Sequence, residues 1–168
     1  VYSEFPGNHK GDLWVLPLNG DRRPIPFLQT EFAEEEAGMS PDGKWIAYVS
    51  DESGKREVYV QPFPPTGDKW QISKGGGGQP KWRRDGKELF FGSSTGRFLS
   101  VRTNIDGRFQ AGIPEILFEA LDRKPGPGVS YAVTRNGQRF RLTAAPVQQP
   151  NGLWVAQTEL LALLGRTG

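Results

Sequence analysis

The chain has 168 residues, with 22 Gly, 14 Pro, one His and no Cys, and aromatic residues make up 11% of it. The missing cysteines exclude a disulfide framework and, with a single histidine, argue against a zinc site, while the net charge of +2 gives no electrostatic footprint for nucleic acid. So much Gly and Pro argues against helices and favours many short strands joined by tight turns.

The first predicted elements lie before residue 31. Val1 to Ser3 is interpreted as the tail of a strand, Asp12 to Leu18 as a second strand, and Ile25 to Gln29 as a third. The chain opens on this partial unit without a lead-in, and apolar residues make up only 36% of it. Both features lead us to expect a piece of a larger protein.

The strongest local pattern begins at residues 40–43, Ser-Pro-Asp-Gly. Proline presets φ and glycine takes the left-handed conformation, which together predict a tight turn. Lys44 to Ser50 then alternates with period two, so Trp45, Ala47 and Val49 should share one face of a strand. A polar loop containing Gly54 follows, and a second strand is predicted from Glu57 to Phe63.

The same unit recurs along the chain. Asp or Asn precedes Gly at 83–86 and at 134–137, as it does at 40–43, and Asp12 to Leu18 aligns without a gap against Glu57 to Phe63. Four strands per repeat of roughly 40–45 residues is the period of a β-propeller blade. The chain is therefore predicted to be all-β, with blades at 31–76 and 77–121 and partial blades at 1–30 and 122–168.

The other strands follow from the same alignment. We expect leading strands at 37–40, 79–83 and 130–134, second strands at 87–93 and 138–144, third strands at 97–101 and 152–156, and outer strands at 69–73 and 115–119. The state of 158–164 stays open. A closed propeller has about 4–8 blades. One hypothesis is that two copies of the chain form a homodimer that completes a six-bladed ring.

Several segments resemble one family. The segments are SPDGKWIAYVSDESG, GDLWVLPL, EVYVQPFP, KWQISKGGGGQPKWRRDGKELFF and GQRFRLT. They resemble the WD40-like PD40 repeats of TolB-type six-bladed propellers, and in particular the propeller domains attached to bacterial serine/threonine protein kinases and winged-helix regulators. The resemblance implies a sensor or interaction module.

The resemblance also bears on location. Kinase-attached propellers often lie beyond a membrane span, which would place this chain in the extracytoplasmic part of a membrane-anchored bacterial protein. No apolar run approaches the roughly 20 residues that a spanning helix needs, and no signal-peptide pattern is present. The motifs of a protein kinase are missing as well: the sequence has no Gly-rich loop of the kinase type, no catalytic His-Arg-Asp and no Asp-Phe-Gly.

One segment matches a catalytic motif. Residues 92–96 read Gly-Ser-Ser-Thr-Gly, the G-x-S-x-G form of a nucleophile elbow, but they lie between two predicted strands instead of a strand and a helix. The single histidine, His9, belongs to another repeat. The sequence therefore predicts a plain turn, no catalytic residue, no metal and no cofactor.

The candidate ligand-binding residues lie in the connections between an outer strand and the next leading strand. Propeller ligands usually meet one face near the central channel, where these connections should lie. The candidates are Glu34, Glu35, Glu36, Gly76, Gln79 and the loop from Lys124 to Val129. The three glutamates would bind a cation or a basic peptide, or form a solvated run. Gly75 to Gly78 would cradle a phosphate, or simply let the chain reverse direction.

A basic patch offers a further alternative. Lys81, Arg83, Arg84 and Lys87 flank Trp82, which would suit a stacked base. Charges are also expected around a β-turn, so no nucleic-acid partner is predicted. The function that the sequence favours is non-catalytic binding of a protein, peptide or small ligand. The alternatives are a propeller that gates a peptidase or hydrolase domain, and an assembly surface without a ligand.

Overall fold

The computed structural model describes residues 1–5, 10–119, 129–144, 147–148, 154–155 and 160–163. Every regular element in these ranges is a β-strand, so none of the described residues forms a helix that would span a membrane. In chain order the strands are β1 (Tyr2–Glu4), β2 (Asp12–Val15), β3 (Ile25–Leu28), β4 (Glu34–Met39), β5 (Trp45–Ser50), β6 (Glu57–Pro62), β7 (Trp70–Gln71), β8 (Gly77–Trp82), β9 (Glu88–Ser93), β10 (Arg97–Asn104), β11 (Gln110–Ala111), β12 (Glu115–Glu119), β13 (Val129–Val133), β14 (Arg139–Ala144), β15 (Val147–Gln148), β16 (Trp154–Val155) and β17 (Leu160–Leu163).

Antiparallel pairing groups these strands into sheets that follow one another along the chain. The first sheet has the order β1-β2-β3, the second β4-β5-β6-β7, the third β8-β9-β10 with β11 and β12 both paired to β10, and the fourth β13-β14-β17. The all-β prediction is confirmed. The described strands form part of a propeller and do not close a ring; the division at 30, 76 and 121 and closure by a second copy stay predictions.

The last repeat differs from the expected layout. The sequence placed the third strand at 152–156, beside the strand that became β14. In the structure β14 pairs with β17, and β16 pairs instead with β15. Pro150-Asn151-Gly152 is a strong turn signal between two short apolar segments. It favours a local hairpin, which leaves the apolar Leu160–Leu163 to complete the sheet.

The second sheet is buried on both faces, which the strict alternation along β5 makes possible. Trp45, Ala47 and Val49 pack with residues of the third sheet, among them Leu89 and Phe91. The alternate residues pack against the first sheet in a cluster that comprises Ile46, Tyr48, Tyr59, Leu13, Val15 and Phe27. The predicted facing of β5 is confirmed, and the alternation now explains how one strand contributes to two interfaces.

The third sheet repeats this arrangement. Leu89 and Phe91 face the second sheet, while Phe90 and Phe98 pack with Tyr131, Phe140 and Leu142 of the fourth sheet. The rings of Phe90 and Phe140 meet edge to face with centroids 5.1 Å apart. Sheets therefore stack face to face in chain order, and large aromatic side chains supply most of the buried area between them.

The recurring turn has the same backbone bonds in each repeat. The amide of the first turn residue donates to a carbonyl five residues later: Ser40 to Trp45 at 2.7 Å, Arg83 to Glu88 at 2.8 Å, and Thr134 to Arg139 at 3.0 Å. The closing glycines Gly43, Gly86 and Gly137 have φ of 74°, 70° and 73°. The turn is thus a feature of the architecture, and loss of proline in the later repeats leaves its geometry intact.

Candidate functional site

The leading strands β4, β8 and β13 converge on one side of the stacked sheets. The Gln79 amide donates to Glu36 Oε2 at 2.6 Å, which joins β8 to β4. The Tyr131 hydroxyl donates to the Gln79 carbonyl at 2.8 Å, which joins β13 to β8. A single residue, Gln79, therefore connects three sheets through its backbone, at the edge where the sequence placed the ligand-binding residues.

Glu36 and Gln79 occupy equivalent positions in their repeats and share an unusual conformation. Both have φ of 54°, in the left-handed region that side chains other than Gly, Asn and Asp rarely adopt. The pairing of β4 with β5 shifts between Glu35 and Gly38, and that of β8 with β9 shifts between Gly78 and Lys81. Each leading strand therefore carries a bulge, and bulges re-aim side chains out of the regular pleat.

Arg56 joins this group, although the sequence analysis did not single it out. It lies just before β6, and its guanidinium pairs with Glu35 Oε2 and, at 3.2 Å, with Glu36 Oε1. Its carbonyl accepts the Gly77 amide at 2.8 Å, which anchors it to β8. The available signal was a pair of cations, Lys55 and Arg56, at the end of the loop opposite a run of carboxylates. We call Glu35, Glu36, Arg56, Gln79 and Lys81 the inner rim.

Glu34 is separated from its two neighbours. Its side chain is fully buried, with Oε1 accepting the Thr30 hydroxyl at 2.5 Å, and Oε2 has no hydrogen-bond partner among the described residues. Burial raises the pKa of the Glu34 carboxyl, and the negative charges of Asp12 and Glu52 add to the rise, against the lowering effect of the Thr30 hydrogen bond. The sequence grouped the three glutamates, whereas the strand places Glu34 inside and Glu36 at the surface.

Glu34→Gln is expected to raise the free energy of unfolding at neutral pH by about 1 kcal/mol. A carboxyl whose pKa is raised by folding stabilises the protein below its unfolded pKa, and this contribution is lost as pH rises through the folded pKa. The increase in the free energy of unfolding over wild type should therefore be largest at neutral pH and small in acid. Urea unfolding across this pH range checks it, with the exposed Glu31→Gln as control. Equal pH profiles for wild type and Glu34→Gln would contradict it.

The glycine-rich loop already holds an anion from within the protein. The amides of Gly75 and Gly76 donate to Glu57 Oε1 at 2.7 and 2.8 Å, and the Ser73 hydroxyl donates to Glu57 Oε2. Glu57 is buried, so these donors satisfy a carboxylate that would otherwise lose its hydration. The donors that would cradle a phosphate are thus occupied. Gly76 is a predicted site residue, and its described role is to donate its backbone amide to Glu57.

The segment with the nucleophile-elbow pattern forms the turn between β9 and β10. The Ser94 hydroxyl donates to the Gly75 carbonyl at 3.1 Å, which ties this turn to the glycine-rich loop. A Cβ on Gly76 would lie 2.6 Å from Ser94 Oγ, so the contact requires glycine. His9 lies outside the described residues. The role of Ser94 in the described structure is to hold two loops together.

The basic residues around Trp82 do not form one patch. Lys81 Nζ lies 5.5 Å from the centre of the Tyr131 ring, within reach of a cation–π interaction. Arg83 directly follows β8 and pairs with Asp85 and Glu88. The Trp82 indole donates to the Gly38 carbonyl at 3.1 Å and packs on the core between the second and third sheets. The Trp82 ring therefore contributes to the packing between the two sheets.

Two predicted site residues have no described contact with the inner rim, and one of them is not described at all. Val129 is the first residue of β13, in register with Ala144, and Lys124 lies outside the described residues. Of the other predicted residues, the structure brings Glu35, Glu36 and Gln79 together. Among the residues that the structure describes, no group of three or more His, Cys, Asp or Glu side chains is placed to hold a metal ion.

Comparison with solved structures identifies the fold. A protein assigned as TolB from Agrobacterium tumefaciens superposes with a TM-score of 0.60, over 84% of this chain and 48% of that one, at 20% sequence identity. The chain has a TolB-like β-propeller fold. It spans about half the length of that protein, and the predicted resemblance to TolB-type propellers is confirmed.

Two further solved structures are similar to the chain. TolB from Acinetobacter baumannii matches with a TM-score of 0.50 and 21% identity, over 82% of this chain and 35% of that one. An oligogalacturonate lyase from Vibrio parahaemolyticus matches with a TM-score of 0.49 and 11% identity, over 86% of this chain and 37% of that one. No protein-family model and no curated protein sequence matches the chain. At these identities the likeness concerns the fold.

Proposed function

We propose that the chain is a non-catalytic module that binds a protein or peptide at the inner rim. The observation that carries this proposal is the backbone bridge through Gln79, which fixes charged side chains from two sheets in one rigid surface. Rigid placement matters because binding then requires little additional ordering of the binding surface.

The charges of the inner rim suit a polar peptide segment. Glu36 is exposed and Arg56 is nearly half exposed, so each can exchange part of its mutual ion pair for a partner's charges. Surface ion pairs of this kind are worth little on their own, about 0–1 kcal/mol, which makes such an exchange inexpensive. Lys81 adds a second cation on the side of the fourth sheet.

The wider setting is part of the same proposal. We place the module in a larger bacterial signalling protein, where binding at the inner rim would be the sensed event. The domain encoded next to it tests this idea. A kinase or DNA-binding domain supports sensing, whereas an α/β-hydrolase domain would support gating of substrate access and would overturn the signalling role.

Lys81→Glu is expected to weaken binding of a rim-directed peptide about tenfold, because reversing one charge at a shared contact replaces attraction by repulsion. Peptides would be selected from a random library against the wild-type chain and their affinities measured by calorimetry. Lys44→Glu is the matched control, since Lys44 is an exposed lysine in the turn at the opposite end of the second sheet. Equal affinity for both variants would show that the peptides bind elsewhere; failure to select any peptide would count against the proposal.

A further inference from the structure

A second polar site lies at the turn that follows β8, outside the inner rim. A cavity of about 460 Å³ opens between the turn that joins β8 to β9 and the end of β10. Arg83, Lys87 and Arg102 contribute cations to its wall, and Asp85, Glu88 and Asp106 contribute carboxylates. No residue of this cavity belongs to the inner rim.

The cavity occurs where the third repeat departs from the second in chemistry but not in backbone. The Thr103 amide donates to the Lys87 carbonyl at 2.9 Å, and the Phe63 amide donates to the Lys44 carbonyl at 2.7 Å in the equivalent place. This correspondence sets Arg102 opposite Pro62 in the repeat alignment. It also sets Arg83 and Glu88 opposite two uncharged residues of the second repeat, Ser40 and Trp45. The charges of Arg83, Glu88 and Arg102 are therefore not required by the architecture, whereas Lys87 stands opposite Lys44 and is common to both repeats.

The charges of the cavity do not all neutralise one another. Arg83 hydrogen-bonds both carboxylate oxygens of Asp85, at 2.7 and 2.6 Å, and pairs with Glu88 at 2.8 Å. The Arg83 hydrogen bonds lower the pKa of Asp85 to about 2, so this network is charged throughout the physiological range. Lys87 and Arg102 form no ion pair with any described residue.

The wall that carries these two cations is held rigidly. The Thr103 hydroxyl donates to the Gly86 carbonyl at 2.6 Å, which fastens β10 to the turn. The Trp45 indole donates to the Ile105 carbonyl at 3.3 Å, which fastens the following loop to the second sheet. The backbone of this wall does not have to be ordered when a ligand binds, and only the exposed side chains of Lys87 and Arg102 lose freedom.

We propose that this cavity binds the carboxylate of an acidic peptide segment, with Lys87 and Arg102 as the recognising cations. A guanidinium and an ammonium that line one cavity suit a carboxylate group. Asp106 on the same wall disfavours a doubly charged phosphate, because its like charge opposes the second negative charge.

The test measures binding of a labelled, end-capped peptide of alternating glutamate and glycine by fluorescence anisotropy. The wild-type chain should bind it, with affinity falling as salt is added. Lys87→Glu combined with Arg102→Glu should lower the affinity about tenfold or more. The matched control, Lys44→Glu with Lys55→Glu, makes the same change in net charge at exposed lysines outside the cavity and should leave binding close to wild type.

Three results would overturn the proposal. The first is equal loss in the two double variants, which would mean that only net charge matters. The second is competition by inorganic phosphate at concentrations where free acetate has no effect, which would assign the site to phosphate. The third is equally tight binding of a lysine–glycine peptide. Melting temperatures of all variants are compared with wild type, and the single variants Lys87→Glu and Arg102→Glu replace the double variant if it fails to fold.

Discussion

Gly86→Ala is expected to lower the free energy of unfolding by about 3 kcal/mol. Gly86 has φ of 70°, which costs any other residue about 1 kcal/mol or more. A Cβ at this position would also lie 2.1 Å from Ile105 Cδ1, in a well-packed wall between the second and third sheets. The substitution therefore combines backbone strain with overpacking, and chemical denaturation of the purified chain measures the sum.

Gly54→Ala separates these two effects. Gly54 has φ of 83°, but a Cβ there would meet no atom within 4 Å. The free energy of unfolding of this variant should fall only by the cost of placing alanine at a positive φ, about 1 kcal/mol. If both alanine variants lost the same amount, the contact between Gly86 and Ile105 would carry no energy and the close packing at this turn would be refuted.

Trp45→Ala is expected to cost about 4 kcal/mol, near the upper part of the range for truncating a buried aromatic side chain. Trp45 is 6% exposed and its ring lies 5.7 Å from that of Trp70 and 5.3 Å from that of Phe109. Its indole also donates to the Ile105 carbonyl across the interface. Truncation leaves a cavity, opens the contact between the second and third sheets and removes a donor from a buried carbonyl.

Two further variants make this measurement specific. Trp45→Phe keeps an aromatic ring but loses the indole donor, so it should cost clearly less than Trp45→Ala. Ile113→Ala truncates an apolar side chain that is 87% exposed and should change stability by no more than about 0.5 kcal/mol. A Trp45→Ala loss close to that of Ile113→Ala would contradict the view that stacked sheets stabilise this fold.

One proposed binding site includes residues of β8, and the other lies at the turn that follows β8. The inner rim forms near Gln79, where bulges and ion pairs expose charge toward the convergent strands. The second site forms beyond Trp82, where the repeat keeps its turn but gains charged side chains. Because the propeller repeats its backbone, the positions at which repeats differ in chemistry are the natural places for recognition.

Much of the fold could be read from local patterns. The turn at 40–43 uses proline and glycine whose φ preferences act within four residues, and the structure repeats that turn at 83–86 and 134–137. Strand β5 alternates with period two, and its faces were assigned correctly because a pleated strand leaves no other choice. The final sheet was placed incorrectly, since β17 and β16 have comparable apolar character and only pairing decides between them.

The candidate site was predictable only in part. The sequence analysis expected Glu34, Glu35 and Glu36 in a connection between strands, whereas the structure places all three in β4. The sequence could not tell that Glu34 is buried while Glu36 reaches the next sheet, since that depends on a bulge in β4. Arg56 was missed for a similar reason: its partners lie about 20 residues earlier in the chain and meet it only in the folded sheet.

The sequence by itself determined that this protein is built from a recurring unit of β-strands and tight turns, because turn chemistry and alternation act over a few neighbouring residues. The tertiary structure decided which polar groups are free to bind. In the folded chain the Glu57 carboxylate accepts a hydrogen bond from the amide of Gly75, which lies 18 residues later in the sequence. Lys87 and Arg102 have no ion-pair partner among the described residues. Such pairings depend on how sheets stack, and stacking brings together residues that are distant in the chain.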